Sequence, residues 1–115
     1  MPLFERVRIE IYIPDLPQSA YRDLLDILEM EFTYTFGGCT IVEGLHGSYQ
    51  SQAGFRMQDR VNLIYTDAPF QLDRQSSNLS LYIDTLHAAA FEALNEEAIL
   101  VVAYQVHYAH VEAGV

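Results

Sequence analysis

Apolar side chains take every second place near the start of the chain, at Val7, Ile9, Ile11 and Ile13, and again near its end, at Leu100, Val102, Tyr104, Val106 and Tyr108. A period of two is that of a half-buried β-strand. The first predicted strand covers residues 7–13 and ends at Pro14. Asp15, Leu16 and Pro17 then turn the chain into a helix, where Tyr21, Leu24, Leu25, Leu28 and Phe32 recur at spacings of three and four and form one apolar stripe. Gly37-Gly38 offers the positive-φ residue that ends a helix. A second strand is predicted over residues 39–49, interrupted by Gly44 and Gly47, each a candidate for a bulge or a close backbone approach. Residues 51–54 read as a hairpin loop. The third strand, residues 57–66, alternates through Val61, Leu63 and Tyr65. Residues 70–78 read as a polar connection and the most mobile loop. A second helix follows over residues 79–95, with Leu79, Ile83, Leu86, Ala90 and Leu94 as its stripe and Asn95 as its stop. The last strand spans residues 98–108, and residues 110–115 are expected to form a loose tail.

The order β-α-β-β-α-β, with right-handed crossovers, predicts an α+β, ferredoxin-like fold. It is a four-stranded antiparallel sheet with two helices on one face. The other face is left open, or is covered by a second subunit. At 115 residues one domain is expected, long enough for one core. Half the residues are apolar, as in a globular protein.

Sixteen acids against six arginines, with no lysine, leave a net charge of −10. Such a chain repels phosphate backbones, so neither nucleic acid nor an anionic membrane is an expected partner. Without lysine there is no Schiff-base or P-loop lysine chemistry. No apolar run reaches the length of a membrane span, and the first residues lack a signal-peptide pattern. The single cysteine, Cys39, cannot form an internal disulfide, and a reducing, cytoplasmic setting is expected.

Candidate chemistry falls on the open face. Alternation on the first strand sets Arg8, Glu10 and Tyr12 opposite the isoleucines, and on the last strand it sets Gln105 and His107 opposite Val106 and Tyr108. The third strand is expected to add Asn62 and Thr66. Glu10 and His107 are then the candidate acid and base, and Arg8 an anion holder. With Tyr12, Asn62 and Gln105 they make a candidate ligand surface. The competing reading is an ordinary polar face or a subunit contact. Ile99, Val101, Ala103 and Ile64 are expected on the same face, where an apolar patch would favour association of the chain with itself as a dimer or higher oligomer. The four histidines, His46, His87, His107 and His110, show no metal-site spacing, so neither metal nor cofactor is expected.

One local feature and one longer run carry resemblances. Met1-Pro2, followed by Leu3 and Phe4, resembles the start of tautomerase-superfamily chains, which use an amino-terminal proline as base; this implies Pro2 as a catalytic candidate once Met1 is removed. The run from Gly38-Cys39-Thr40 through Gly44, Gly47-Ser48-Tyr49 and Asp59-Arg60-Val61 resembles small bacterial ferredoxin-like proteins of the cyanobacterial type, whose function is uncharacterised. That likeness implies fold and carries no activity. In architecture alone the chain is also similar to dimeric α/β-barrel proteins and to the trimeric signalling proteins of the PII and CutA groups. Three functions follow as expectations. The first is a regulatory or small-ligand-binding oligomer. The second is a cofactor-free enzyme acting on a small organic acid by acid–base chemistry. The third is an interaction subunit that docks its acidic helix onto a larger protein.

Overall fold

The computed structural model of the protein describes residues 4–94 and 99–109. Its elements run β1 (Phe4–Pro14), α1 (Ser19–Phe36), β2 (Thr40–Gln50), β3 (Arg56–Ala68), α2 (Leu72–Leu94) and β4 (Leu100–Tyr108). The sheet order is β2-β3-β1-β4 and every pairing is antiparallel. This is the expected ferredoxin-like arrangement. Expectations that fall on Pro2, Asn95, Ala98 and His110 to Val115 lie outside the described residues.

The isoleucine alternation puts β1 at the centre. Val7, Ile9, Ile11 and Ile13 are 0–1 % exposed and meet Leu24, Leu25, Leu28 and Phe32 of α1. Burying such a side chain is worth roughly 1.5–3 kcal/mol, so these two elements anchor the core. Gly37 ends α1 as its pattern requires: its φ is 91°, and its N–H donates to the Thr33 carbonyl at 3.0 Å.

The helix begins earlier in α2 than polarity suggests. Residues 72–78, expected within a loop, belong to a helix that starts at Leu72 and kinks at Gln75, whose φ is −125°. The start is held locally, because the Gln71 N–H donates to the Gln75 side-chain oxygen at 2.8 Å. Phe70 is also not a loop residue adrift: its ring packs against Phe36 and Tyr82.

Strands β3 and β4 turn the opposite faces to the helices from those expected. Residues paired across an antiparallel ladder share a face. Ile9 pairs with Thr66 and with Ala103, and Ile11 with Ile64 and with Val101. Asn62, Ile64, Thr66 and Ala68 of β3, with Ile99, Val101 and Ala103, therefore lie on the helix side. Val61, Leu63, Tyr65, Leu100, Val102, Tyr104, Val106 and Tyr108 lie on the open side. Both strands are apolar on both faces, so alternation alone does not choose between them, and a one-residue slip inverts the assignment. The helix side takes the smaller residues, Ala68 and Ala103, and two polar residues whose partners lie in the same layer. Asn62 Oδ1 accepts from the Gly44 N–H at 3.0 Å, and the Thr66 hydroxyl donates to the Gly38 carbonyl at 2.7 Å. The first bond fixes a bend in β2, and the second latches the segment joining α1 to β2. Gly44, at φ 70°, marks the bulge where the β2–β3 register shifts between Val42 and Leu45.

Candidate functional site

The open face is organised by β1. Arg6, Arg8, Glu10 and Tyr12 stand in one row, flanked by Leu63, Tyr65 and Asp67 of β3 and by Leu100, Val102 and Tyr104 of β4. Arg8 faces Asp67 directly in register. Its Nε lies 2.8 Å from Asp67 Oδ1 and its Nη2 3.0 Å from Oδ2, a two-point ion pair. The guanidinium carbon also sits 4.5 Å from the centre of the Tyr65 ring. The bond to Asp67 holds the Arg8 guanidinium well above its ordinary pKa.

Glu10 is the second centre. Its Oε2 accepts from the Tyr104 hydroxyl at 2.6 Å and its Oε1 from the Tyr12 hydroxyl at 3.0 Å. The Tyr104 phenol is pushed up from its usual value by that bond, and the Tyr12 phenol by burial first and the carboxylate second. Both phenols are therefore protonated donors at neutral pH. Nearer the end of the row, Arg6 Nε donates to the Tyr108 hydroxyl at 3.2 Å, and Tyr108 packs on Phe4. Each charge in the centre of this face is thus already answered from within the face. Around them stand Val61, Leu63, Val102 and Val106, half-buried, and Leu100, exposed.

Of the sequence-derived ligand residues, Arg8, Glu10 and Tyr12 come together here. Asn62, Gln105 and His107 do not join them. Asn62 is buried under the helices. Gln105 pairs with Val7 and His107 with Glu5, so both belong to the other face. His107 Nε2 lies 3.2 Å from Glu5 Oε1. The expected grouping of Arg8, Glu10, Tyr12 and His107 is corrected for the reason given above, the inverted face of β4. Pro2 lies outside the described residues. His46 is exposed on β2, and His87 meets the Ile99 carbonyl at 3.2 Å. Cys39 Sγ rests 3.9 Å from the Thr33 hydroxyl and from the Glu29 carbonyl.

Tyr65, Asp67, Tyr104 and Tyr108 are the residues of this candidate face that sequence reasoning missed. The signal was present in the tyrosines of β4: Tyr104 and Tyr108 sit at alternate places with hydroxyls that need partners. Reading them as wet rather than buried would have set the face correctly.

Two adjoining clefts open where this face meets the end of α1. One, of about 420 Å³, is lined by Arg6, Thr35, Phe36, Asp67, Pro69 and Tyr108. The other, of about 300 Å³, shares Phe36 and Asp67 and adds Gly37, Gly38 and Thr40. Together they bring one arginine, three threonines and the backbone of two glycines to one end of the sheet. At the opposite end a wider cleft of about 680 Å³ lies between the β1–α1 turn and the β2–β3 hairpin, beside the Asp15–Arg60 ion pair.

Neither a protein-family model nor a curated protein sequence matches the chain. Solved structures do match in fold. The CutA1 of Oryza sativa is 16 % identical, with 92 % of this chain and 84 % of that chain covered and a TM-score of 0.59. The divalent cation tolerance protein of Thermus thermophilus is 19 % identical over 88 % of this chain and 82 % of its own, with a TM-score of 0.55. CPII of Thiomonas intermedia, solved with ADP, AMP and acetate, is 16 % identical over 96 % of this chain and 94 % of its own, with a TM-score of 0.50. At such identities the likeness is one of fold. Among the described residues no helix is long and apolar enough to cross a membrane.

Proposed function

We propose that the protein is a small, cytoplasmic regulatory module of one ferredoxin-like domain, of the bacterial group that its sequence resembles. Its subunits associate through the open sheet face, and a small ligand binds in the paired clefts beside Gly37 and Gly38. The observation that carries the reading is the internal pairing on that face. Covering an unpaired charge is costly, whereas a paired and hydrogen-bonded one is covered at far smaller cost. Here Arg8 is held by Asp67 and Tyr65, and Glu10 by Tyr12 and Tyr104, among valines and leucines. A face meant only for solvent has no need of Leu63, Leu100 and Val102.

The same pairing speaks against the acid–base reading. Glu10 is engaged by two phenols that keep their protons, and His107 is on the other side of the sheet. Support for a ligand comes from the clefts and from the fold. Arg6 lines the larger of these two paired clefts, and a protein of this fold, CPII, was solved with nucleotides and acetate. Titration calorimetry with ADP, AMP and acetate tests the ligand. The reading expects saturable heat with at least one of them, lost in Arg6→Ala; no heat with any of the three contradicts it. Sedimentation velocity over a dilution series tests the association, which is expected to show a sedimentation coefficient that falls on dilution or stays above that of a monomer.

A further inference from the structure

Helix α1 carries a second apolar row, on the side turned away from the sheet. Leu24, Leu25, Leu28 and Phe32 are its buried face. Ile27, Met30 and Tyr34 stand three and four residues apart on another face, and are 57, 59 and 84 % exposed. Positions i, i+3 and i+7 lie one above the other along a helix, so these three large side chains form one strip. Scattered surface apolar residues need no explanation, but an aligned strip of three does.

Acids border the strip. Asp23 continues the row one turn before Ile27, Asp26 and Glu29 run along one side, and Glu31 along the other. Among the described residues Asp23, Asp26 and Glu29 are in none of the ion pairs. Arg22, the one cation of α1, is turned to Glu43 at 2.9 Å. The strip is therefore apolar at its centre and negative at its rim.

We propose that this row is the docking site for a basic amphipathic helix of a partner protein. Charge selects the occupant. A second copy of this chain, at net charge −10 and without lysine, would set acids against acids. Nucleic acid and anionic lipid are repelled for the same reason. A helix with an apolar row between Lys and Arg residues satisfies both parts of the strip at once, in the i, i+3, i+7 manner of helix recognition. Tyrosine and methionine are residue types enriched at such contacts. The row lies across the helix layer from the open sheet face, so it stays accessible whether or not the subunits associate there. Association would present several copies of it together.

The test uses labelled synthetic peptides of about 18 residues, five helical turns. One carries leucines at helical spacing between lysines, the second is a scramble of the same composition, and the third replaces lysine by glutamate. Fluorescence anisotropy gives affinity, and amide chemical shifts give the place of binding. Saturable binding of the first peptide alone is expected, with shifts confined to the exposed side of residues 23–34. Affinity should fall at least about tenfold in the double variant Ile27→Ser, Met30→Ser and, separately, in Tyr34→Ser. It should also weaken as salt is raised. All three side chains are exposed, so unchanged melting temperatures are expected to show that the variants keep the fold. Equal binding of the scrambled or acidic peptide overturns the proposal. So do shifts that map to the sheet face, and so does undiminished affinity in both variants.

Discussion

The Tyr104 hydroxyl lies 2.6 Å from Glu10 Oε2 and ties the edge strand β4 to the central strand β1 across the open face. The Tyr12 hydroxyl takes the other carboxylate oxygen at 3.0 Å. One acid thus holds two phenols, and the consequences are measurable.

Both phenols have pKa values raised in the folded protein. A raised value means that the folded state holds the proton more tightly than the unfolded chain. The stabilisation is complete below the ordinary tyrosine value of about 10 and is lost as pH climbs through the folded-state values. Stability is therefore expected to fall in the alkaline range above about pH 10. Replacing Glu10 by Gln removes the charge that both phenols face, so part of the tyrosine titration should move to lower pH. Tyrosinate absorbance followed through an alkaline titration checks this, and superimposable curves for the two proteins would contradict it.

Asn62 and Thr66 are the polar latches beneath the helices. Asn62→Ala leaves the Gly44 N–H at the bulge without its acceptor and should cost about 1–3 kcal/mol. Thr66→Val removes the bond to the Gly38 carbonyl and should cost about 0.5–1.5 kcal/mol. Gln105, exposed at the edge, gives the contrast: Gln105→Ala should stay within about 0.5 kcal/mol of the parent. Urea unfolding of the three variants reads all of these. An Asn62 variant as little affected as the Gln105 variant would refute the burial of Asn62 beneath the helices.

The exit of α1 offers a paired comparison. Gly37 has a φ of 91°, whereas Gly38 has no positive φ, and neither has an atom within 4 Å of an added Cβ. Gly37→Ala is expected to cost roughly 1–2 kcal/mol through backbone strain alone. Gly38→Ala should be within about 0.5 kcal/mol of neutral. Thermal melts of the two variants decide it, and equal losses would show that the backbone at Gly37 is not the cause.

What the sequence made legible follows from how one-sided each element is. β1 has a single apolar face and α1 one continuous apolar stripe of leucines and phenylalanine, so Val7 to Ile13 and Leu24 to Phe32 could be oriented by period alone. The element order then led to the fold. β3 and β4 are apolar on both sides, with Ile64 backed by Leu63 and Val101 by Val102, and there the period is silent about which side meets the helices. That ambiguity has a physical origin: one face is covered by α1 and α2, and the other carries apolar residues of its own among the paired charges. It also explains why Arg8, Glu10 and Tyr12 were recognisable as neighbours while their partners Asp67, Tyr65 and Tyr104 were not. The first three share one strand, and the partners depend on register. The start of α2 escaped for a different reason. Its first turns are polar, and a side-chain bond from Gln75 replaces the usual capping signal.

The central claim, that the open face joins subunits, is tested most directly by molar mass. Light scattering on the protein and on a Leu63→Glu, Val102→Glu variant compares the two. Both positions are half-buried and flank the Glu10 row, so the variant adds unpaired acids to the face without entering the core. A parent mass that is a multiple of 13.1 kDa, falling to 13.1 kDa in a variant that remains folded, is the predicted result. A parent already at 13.1 kDa, or an assembly that the two glutamates leave intact, would contradict it.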